Sequence, residues 1–238
     1  MSPLPYWQRG SPQGLMLPPR SIWLVGDDPA NTSTTWNDSS GNGRMATSYS
    51  SGGTQYTLTT RGGHGCFTGG AGGFAYLSIP SFALAQSVSA YCVYERAAAD
   101  TGKFECFVGV NGTGYGLATG GYNGYGGVAS SGPVQGTIDS DALRYAATAG
   151  SNVTGIHCAF LTYDGTTCTV YHDGIFVVSA ALAAWTLGTN WGRIYGNNGV
   201  AHYPNTLNGW MYEQGEFNGY CMSAALVAKE SARALGVY

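Results

Sequence analysis

Charge is what this chain has least of. Asp, Glu, Lys and Arg make up only 10% of its 238 residues, against roughly a quarter in an ordinary globular domain. The two lysines and eight arginines are scattered with no basic run, which excludes the electrostatic footprint of a nucleic-acid binder. No apolar stretch approaches the ~20 residues of a membrane-crossing helix. The opening residues, MSPLPYWQRGSPQG, lack the charged start and apolar core of a secretion signal, so the expectation is synthesis and folding in the cytosol. No CxxC pair occurs among the six cysteines, and no Cys/His cluster has zinc-finger spacing. Cys92, Cys106, Cys158 and Cys168 fall inside strand-like runs, where a free thiol acts as a small buried hydrophobe. No G-x-S-x-G nucleophile elbow or phosphate-loop pattern is found, and no period of 20–50 residues marks a repeat array.

What is present is apolar, small and aromatic. Hydrophobic residues reach 44%, with 38 glycines and 17 tyrosines, so the chain is not disordered for want of a core. The clearest stretch is HCAFLTYDGTTCTVYHDGIFVV at 157–178. Apolar and polar residues alternate through 158–163, 168–171 and 175–178. Period-two alternation puts one side of each run on a core and the other in water. Asp164-Gly165 and Asp173-Gly174 supply the positive-φ residues of tight reversals. Further strands are expected at 22–25, 56–60, 74–79, 87–96, 104–110, 193–195 and 209–217. His64–Gly73 reads as a glycine-rich loop and Asp139–Ala147 as one helical turn. Residues 109–132, with ten glycines, are either a loop or a pair of glycine-bearing strands. The one helix expected is Ser223–Leu235, capped by Ser223 and stopped by Gly236. Short strands with regular turns and almost no helix indicate an all-β, two-sheet antiparallel sandwich.

Residues 1–22 differ from the rest. Six of the nine prolines fall within the first 29 positions, which favours extended chain. With Tyr6, Trp7, Arg9 and Arg20 as its anchors, this segment is expected to be a docking arm laid on a partner, ahead of a domain spanning 23–238.

Several stretches resemble a known family. WNDSSGNGRMAT at 36–47 resembles the W-x-D-x-SGNG-x-x-A opening of laminin G-like, concanavalin A-like jelly rolls. FAYLSIPS with SVSAYCVYER, HCAFLTYDGTTCTVYHDGIFV, and GWMYEQGEFNGYCMSAALVAKES resemble that family's later strands, in family order over roughly 22–236. The resemblance implies a jelly-roll sandwich but no particular activity, because the fold serves lectins, glycosidases, adhesion modules and virion proteins. Many relatives hold calcium, for which Asp38 and Asn42 are the candidates here. Calcium wants six to eight oxygens, and with eight Asp and five Glu in the chain, Asp38 reads better as a turn former. The expectation is therefore no cofactor, with calcium the exception.

Catalysis is not expected. Glycosidases of this fold converge two carboxylates, and the family's acidic pair near the end becomes Tyr212-Glu213 here. Glu213 and Glu216 stand three apart, on opposite sides of a regular strand, one expected to meet water. His64, His157, His172 and His202 are well separated, and His172 beside Asp173 reads as a solvated turn histidine. Trp185, Trp191, Tyr195, Tyr203 and Trp210 crowd the last third. Trp185 and Trp210 read as core, and Trp191, Tyr195 and Tyr203 as a saccharide platform. The leading expectation is a non-enzymatic virion protein of a tailed bacteriophage. It would be a homo-oligomer, made in the host cytoplasm, decorating the capsid or forming part of a tail fibre through arm contacts with other virion proteins. The alternative is an extracellular carbohydrate-binding lectin module, free or at a fibre tip, that recognises a host or cell-surface glycan. A glycan hydrolase ranks third.

Overall fold

A computed structural model describes residues 16–51, 55–69, 74–80, 82–83, 85–97, 105–109, 115–119, 135–138, 144–146, 155–181, 193–194 and 209–238. In chain order the strands are β1 (Ile22–Val25), β2 (Thr35–Trp36), β3 (Ala46–Ser51), β4 (Thr57–Arg61), β5 (His64–Thr68), β6 (Phe74–Ser78), β7 (Val88–Arg96) and β8 (Glu105–Gly109). They continue with β9 (Tyr115–Thr119), β10 (Gln135–Ile138), β11 (Arg144–Ala146), β12 (Ile156–Tyr163), β13 (Thr167–His172), β14 (Ile175–Ala181), β15 (Arg193–Ile194) and β16 (Gly209–Asn218). The helix α1 (Ala224–Leu235) closes the chain. The first sheet runs β14-β13-β12-β7-β16-β5-β4, with β1 also on β16. The second runs β11-β10-β9-β8-β15-β6-β3-β2. Every pairing among the described residues is antiparallel, so the jelly-roll sandwich expected from the sequence is the fold observed. No described helix is long and apolar enough to cross a membrane.

Turn chemistry explains the hairpins. Asp173 (φ 51°) and Gly174 (φ 78°) are both left-handed, the pair a two-residue type I′ turn demands. At the other reversal, Asp164 Oδ1 accepts from the Thr166 and Thr167 amides at 2.8 and 2.7 Å. Ser223 caps α1 by accepting from the Leu226 amide. Gly236 follows the helix in a right-handed conformation, φ −75°, so the helix ends without a left-handed glycine.

The core has two parts. Trp36, Leu77, Ala90, Leu161 and Met211 belong to the part between the sheets. The outer face of the first sheet carries the other, where Tyr91, Phe160 and Phe217 meet Val227 and Ala234 of α1. Cys158 and Phe160 face the helix rather than water, and β12 is buried on both faces from Cys158 onward. This corrects the half-wet reading of that run: α1 supplies a second apolar layer. Cys66, Cys92, Cys158 and Cys168 are free and buried, and Cys221 is free and exposed.

Two local readings change. His64–Thr68 is a strand, not a loop, and 144–146 is a strand, not a helical turn. The glycine in β5 has a steric reason. The chain leaving β1 and the chain entering β5 lie end to end along one edge of β16. A Cβ on Gly26 would sit 1.9 Å from the Gly65 carbonyl oxygen, and one on Gly65 2.3 Å from that of Gly26. Backbone cannot yield as a side chain can. Gly26→Ala is expected to lower stability by about 1–3 kcal/mol in equilibrium urea unfolding.

The arm expectation also changes in part. Leu17 packs into the helix-side core, and the Ser21 amide donates to Glu216 O at 2.7 Å. Arg20 pairs with Glu230, and its guanidinium stands 4.4 Å over Trp23 and 5.4 Å over Phe217. Arg20 therefore serves its own globule, because the fully buried Glu230 carboxylate demands a counter-charge. Tyr6, Trp7 and Arg9 lie outside the described residues.

Candidate functional site

The second sheet builds one continuous row across all eight strands. Register pairs Thr35 with Thr47, Thr47 with Ser78, Ser78 with Arg193 and Arg193 with Gly109. Gly109 then pairs with Gly116, Gly116 with Thr137 and Thr137 with Arg144. The alternate positions Trp36, Ala46 and Leu77 are fully buried in the inter-sheet core, so Thr35, Thr47 and Ser78 belong to the outer face. Thr47 and Tyr49 are exposed there, Tyr49 by 48%, and Tyr49 is in register with Tyr76. With strands about 4.8 Å apart, the row extends roughly 30 Å. It holds hydroxyl residues, a central pair of glycines and two arginines, with no acid.

The other sequence-expected residues are placed as follows. Trp191, Tyr195 and Tyr203 lie outside the described residues, although Trp191 and Tyr195 flank β15 in sequence. Trp210 is half-buried, and Arg61 caps its ring at 3.5 Å. Arg61 also grips Glu95 through two hydrogen bonds of 2.6 Å, and Tyr212 donates to the same carboxylate at 2.7 Å. The hydrogen bond from Arg61 holds Glu95 below the usual carboxylate range. The Asp38 carboxylate accepts from the backbone amides of Trp23, Ser40 and Arg44 at 3.0, 3.0 and 2.8 Å. Asn42 Nδ2 donates to the carbonyls of Arg20 and Ser21. Both residues organise the loop after β2.

Glu213 and Glu216 are both 1% exposed, so neither meets water. Glu213 shares its register with Val93 of the helix-side core and Glu216 with Ala90 of the inter-sheet core. The two carboxylates occupy opposite faces of the sheet and cannot flank one glycosidic bond. Glu213 belongs instead to a buried charge cluster. It accepts from Tyr91 Oη at 2.5 Å and Trp23 Nε1 at 2.8 Å, and it pairs with Arg233. Arg233 reaches Glu230 at 2.8 Å, and Arg20 completes the set from the other side. Burial works against the charge on Arg233, but Tyr91, Glu213 and Glu230 outweigh it and hold the guanidinium firmly protonated. Burial likewise pushes the Tyr91 phenol well above its ordinary value.

No protein-family model matches the chain, and no curated protein matches it. Solved structures do. Domain 4 of an extracellular GH43 arabinanase from Geobacillus stearothermophilus, in complex with arabinotriose, is 13% identical with a TM-score of 0.64. That match covers 90% of this chain and 98% of that one. The ligand-binding domain of botulinum neurotoxin serotype D, in complex with N-acetylneuraminic acid, is 11% identical with a TM-score of 0.58, covering 90% of this chain and 51% of that one. The binding domain of botulinum neurotoxin DC, in complex with rat synaptotagmin II, is 10% identical with a TM-score of 0.57, covering 90% and 51%. This chain thus spans about half of each neurotoxin chain. At such identities the likeness is one of fold. The molecule is an all-β jelly-roll sandwich, the fold these solved domains share.

Sequence reasoning missed the outer row, because Arg144 and Arg193 stand 49 positions apart and are aligned only by strand pairing. The alternation in Ala46–Tyr49, with Ala46 and Ser48 buried and Thr47 and Tyr49 exposed, was the local signal available.

Proposed function

We propose that this protein is a non-catalytic carbohydrate-binding module that presents the outer face of its second sheet to an extended glycan. The observation carrying this reading is the eight-strand row itself. Thr35, Thr47 and Ser78 are residues whose hydroxyls both donate and accept, as sugar hydroxyls do. The exposed Tyr49 offers an apolar ring beside them, and the register carries the row on through Gly109 and Gly116. Neighbours of the same fold, solved with arabinotriose and with N-acetylneuraminic acid, support a saccharide as ligand.

The virion reading has less to stand on. It rested in part on an arm at residues 1–22, whose described residues pack on their own globule through Leu17 and Arg20. The test is a glycan array followed by titration calorimetry with neutral and sialylated oligosaccharides. Binding is expected, and Tyr49→Ala should weaken it about tenfold, the ~1.4 kcal/mol of one lost aromatic contact. A folded protein that binds nothing on the array overturns the reading.

A further inference from the structure

One cluster of metal-binding side chains lies away from the outer row. His157 is the second residue of β12, His172 ends β13, and Asp173 opens the type I′ turn that follows. His172 and Asp173 are adjacent, and the β12–β13 pairing, which sets Ala159 opposite His172, brings His157, 15 positions earlier, beside them. His157 Nδ1 lies 2.7 Å from Asp173 Oδ2, and His172 Nδ1 lies 3.6 Å from the same oxygen. One ligand atom from each of the three residues falls within 4.8 Å of the others. The imidazole rings stack with centroids 4.9 Å apart.

We infer that His157, His172 and Asp173 form a binding site for a divalent first-row transition cation of the zinc class. Two imidazoles and a carboxylate are the donor set such borderline cations take. Bonds of about 2.0–2.1 Å put tetrahedral ligands ~3.4 Å apart. The His172–Asp173 distance is already there, and the His157–Asp173 contact needs to open by well under an ångström.

The surroundings favour a ligand site over a plain ion pair. The carboxylate is held still. Asp173 Oδ1 accepts from the Cys158 amide at 2.8 Å, and the Asp173 amide donates to Cys158 O at 2.8 Å. Tyr94 Oη stands 3.2 Å from His172 Nε2, an outer contact on the far nitrogen of the kind that orients ligating histidines. A cation takes the place of the hydrogen between His157 Nδ1 and Asp173 Oδ2. The side chains are 16%, 26% and 29% exposed, so solvent reaches the site, and three protein ligands leave a fourth position for water.

The experiment uses the full chain carrying Cys221→Ser, which removes the exposed thiol. Zn²⁺ is titrated by calorimetry, and ring ¹⁵N resonances of the four histidines are followed by NMR. One Zn²⁺ per chain should bind, shifting the ring nitrogens of His157 and His172 but not those of His64 and His202. His172→Ala and Asp173→Asn should each weaken binding about 100-fold, and metal should raise the unfolding temperature of the parent but not of the variants. No uptake of Zn²⁺ by the folded parent overturns the site. So does uptake that moves His64 or His202 instead, a result that needs no variant to fold.

Discussion

Arg233→Met is expected to cost about 3–5 kcal/mol of folding stability, a large part of the ~5–15 kcal/mol that holds a typical domain folded. Arg233 contacts both Glu213 and Glu230, whose side chains are 1% and 0% exposed. Methionine matches much of its volume, so packing is nearly kept and the loss is electrostatic. Glu230 retains Arg20, but among the described residues Glu213 is left with neutral partners, Tyr91, Trp23 and Tyr238. A buried carboxylate without a cation must either desolvate unpaired or take up a proton. The double variant Arg233→Met/Glu213→Gln should therefore recover much of the loss, since both charges then leave together. Urea unfolding of the parent, the single variant and the double variant measures this. A single-variant loss under about 0.5 kcal/mol would mean the cluster contributes little beyond its shape.

Trp36→Ala should cost a comparable ~3–5 kcal/mol, for a different reason. Trp36 is fully buried between the sheets and stacks on Phe67 with ring centroids 4.8 Å apart and planes 21° from parallel. Alanine there opens a cavity that two antiparallel sheets cannot collapse to fill. Trp36 Nε1 has no hydrogen-bond partner among the described residues, so the indole is held by packing alone. Trp36→Phe keeps an aromatic face on Phe67 and deletes the orphaned N–H, and should cost less than about 1.5 kcal/mol. Equal losses for the two variants would show that Nε1 has a partner after all.

How much of this was legible depends on how local each signal was. The β12–β14 meander and α1 could be read directly, because Asp173-Gly174 and Ser223 dictate their turn and cap within a few residues. The strand His64–Thr68 was hidden because its glycine looks like a loop until Gly26 is placed beside it. The full burial of β12 was hidden because no strand announces the helix that will cover it. The candidate sites were the least visible. The outer row needs seven successive registers to join Thr35 to Arg144. His157 and His172 looked like separate surface histidines until the β12–β13 ladder set them side by side. The cluster around Glu213 needed β16, α1 and the segment before β1 in one place. Composition did speak to the surface, since a chain so poor in charge presents hydroxyls and aromatics by default.

The placement of β16 has a consequence for how the molecule comes into being. β16 comes late in the sequence, yet it is not a margin but the middle of its sheet, seated between β7 on one side and β1 with β5 on the other. During synthesis the earlier strands wait with a gap at their centre, and β1 has no neighbour in that sheet until some 190 later residues have left the ribosome. Contacts so distant in sequence make for slow assembly and for a nascent chain with two open edges to protect. Loss of the final thirty residues would therefore split the sheet in half rather than trim it.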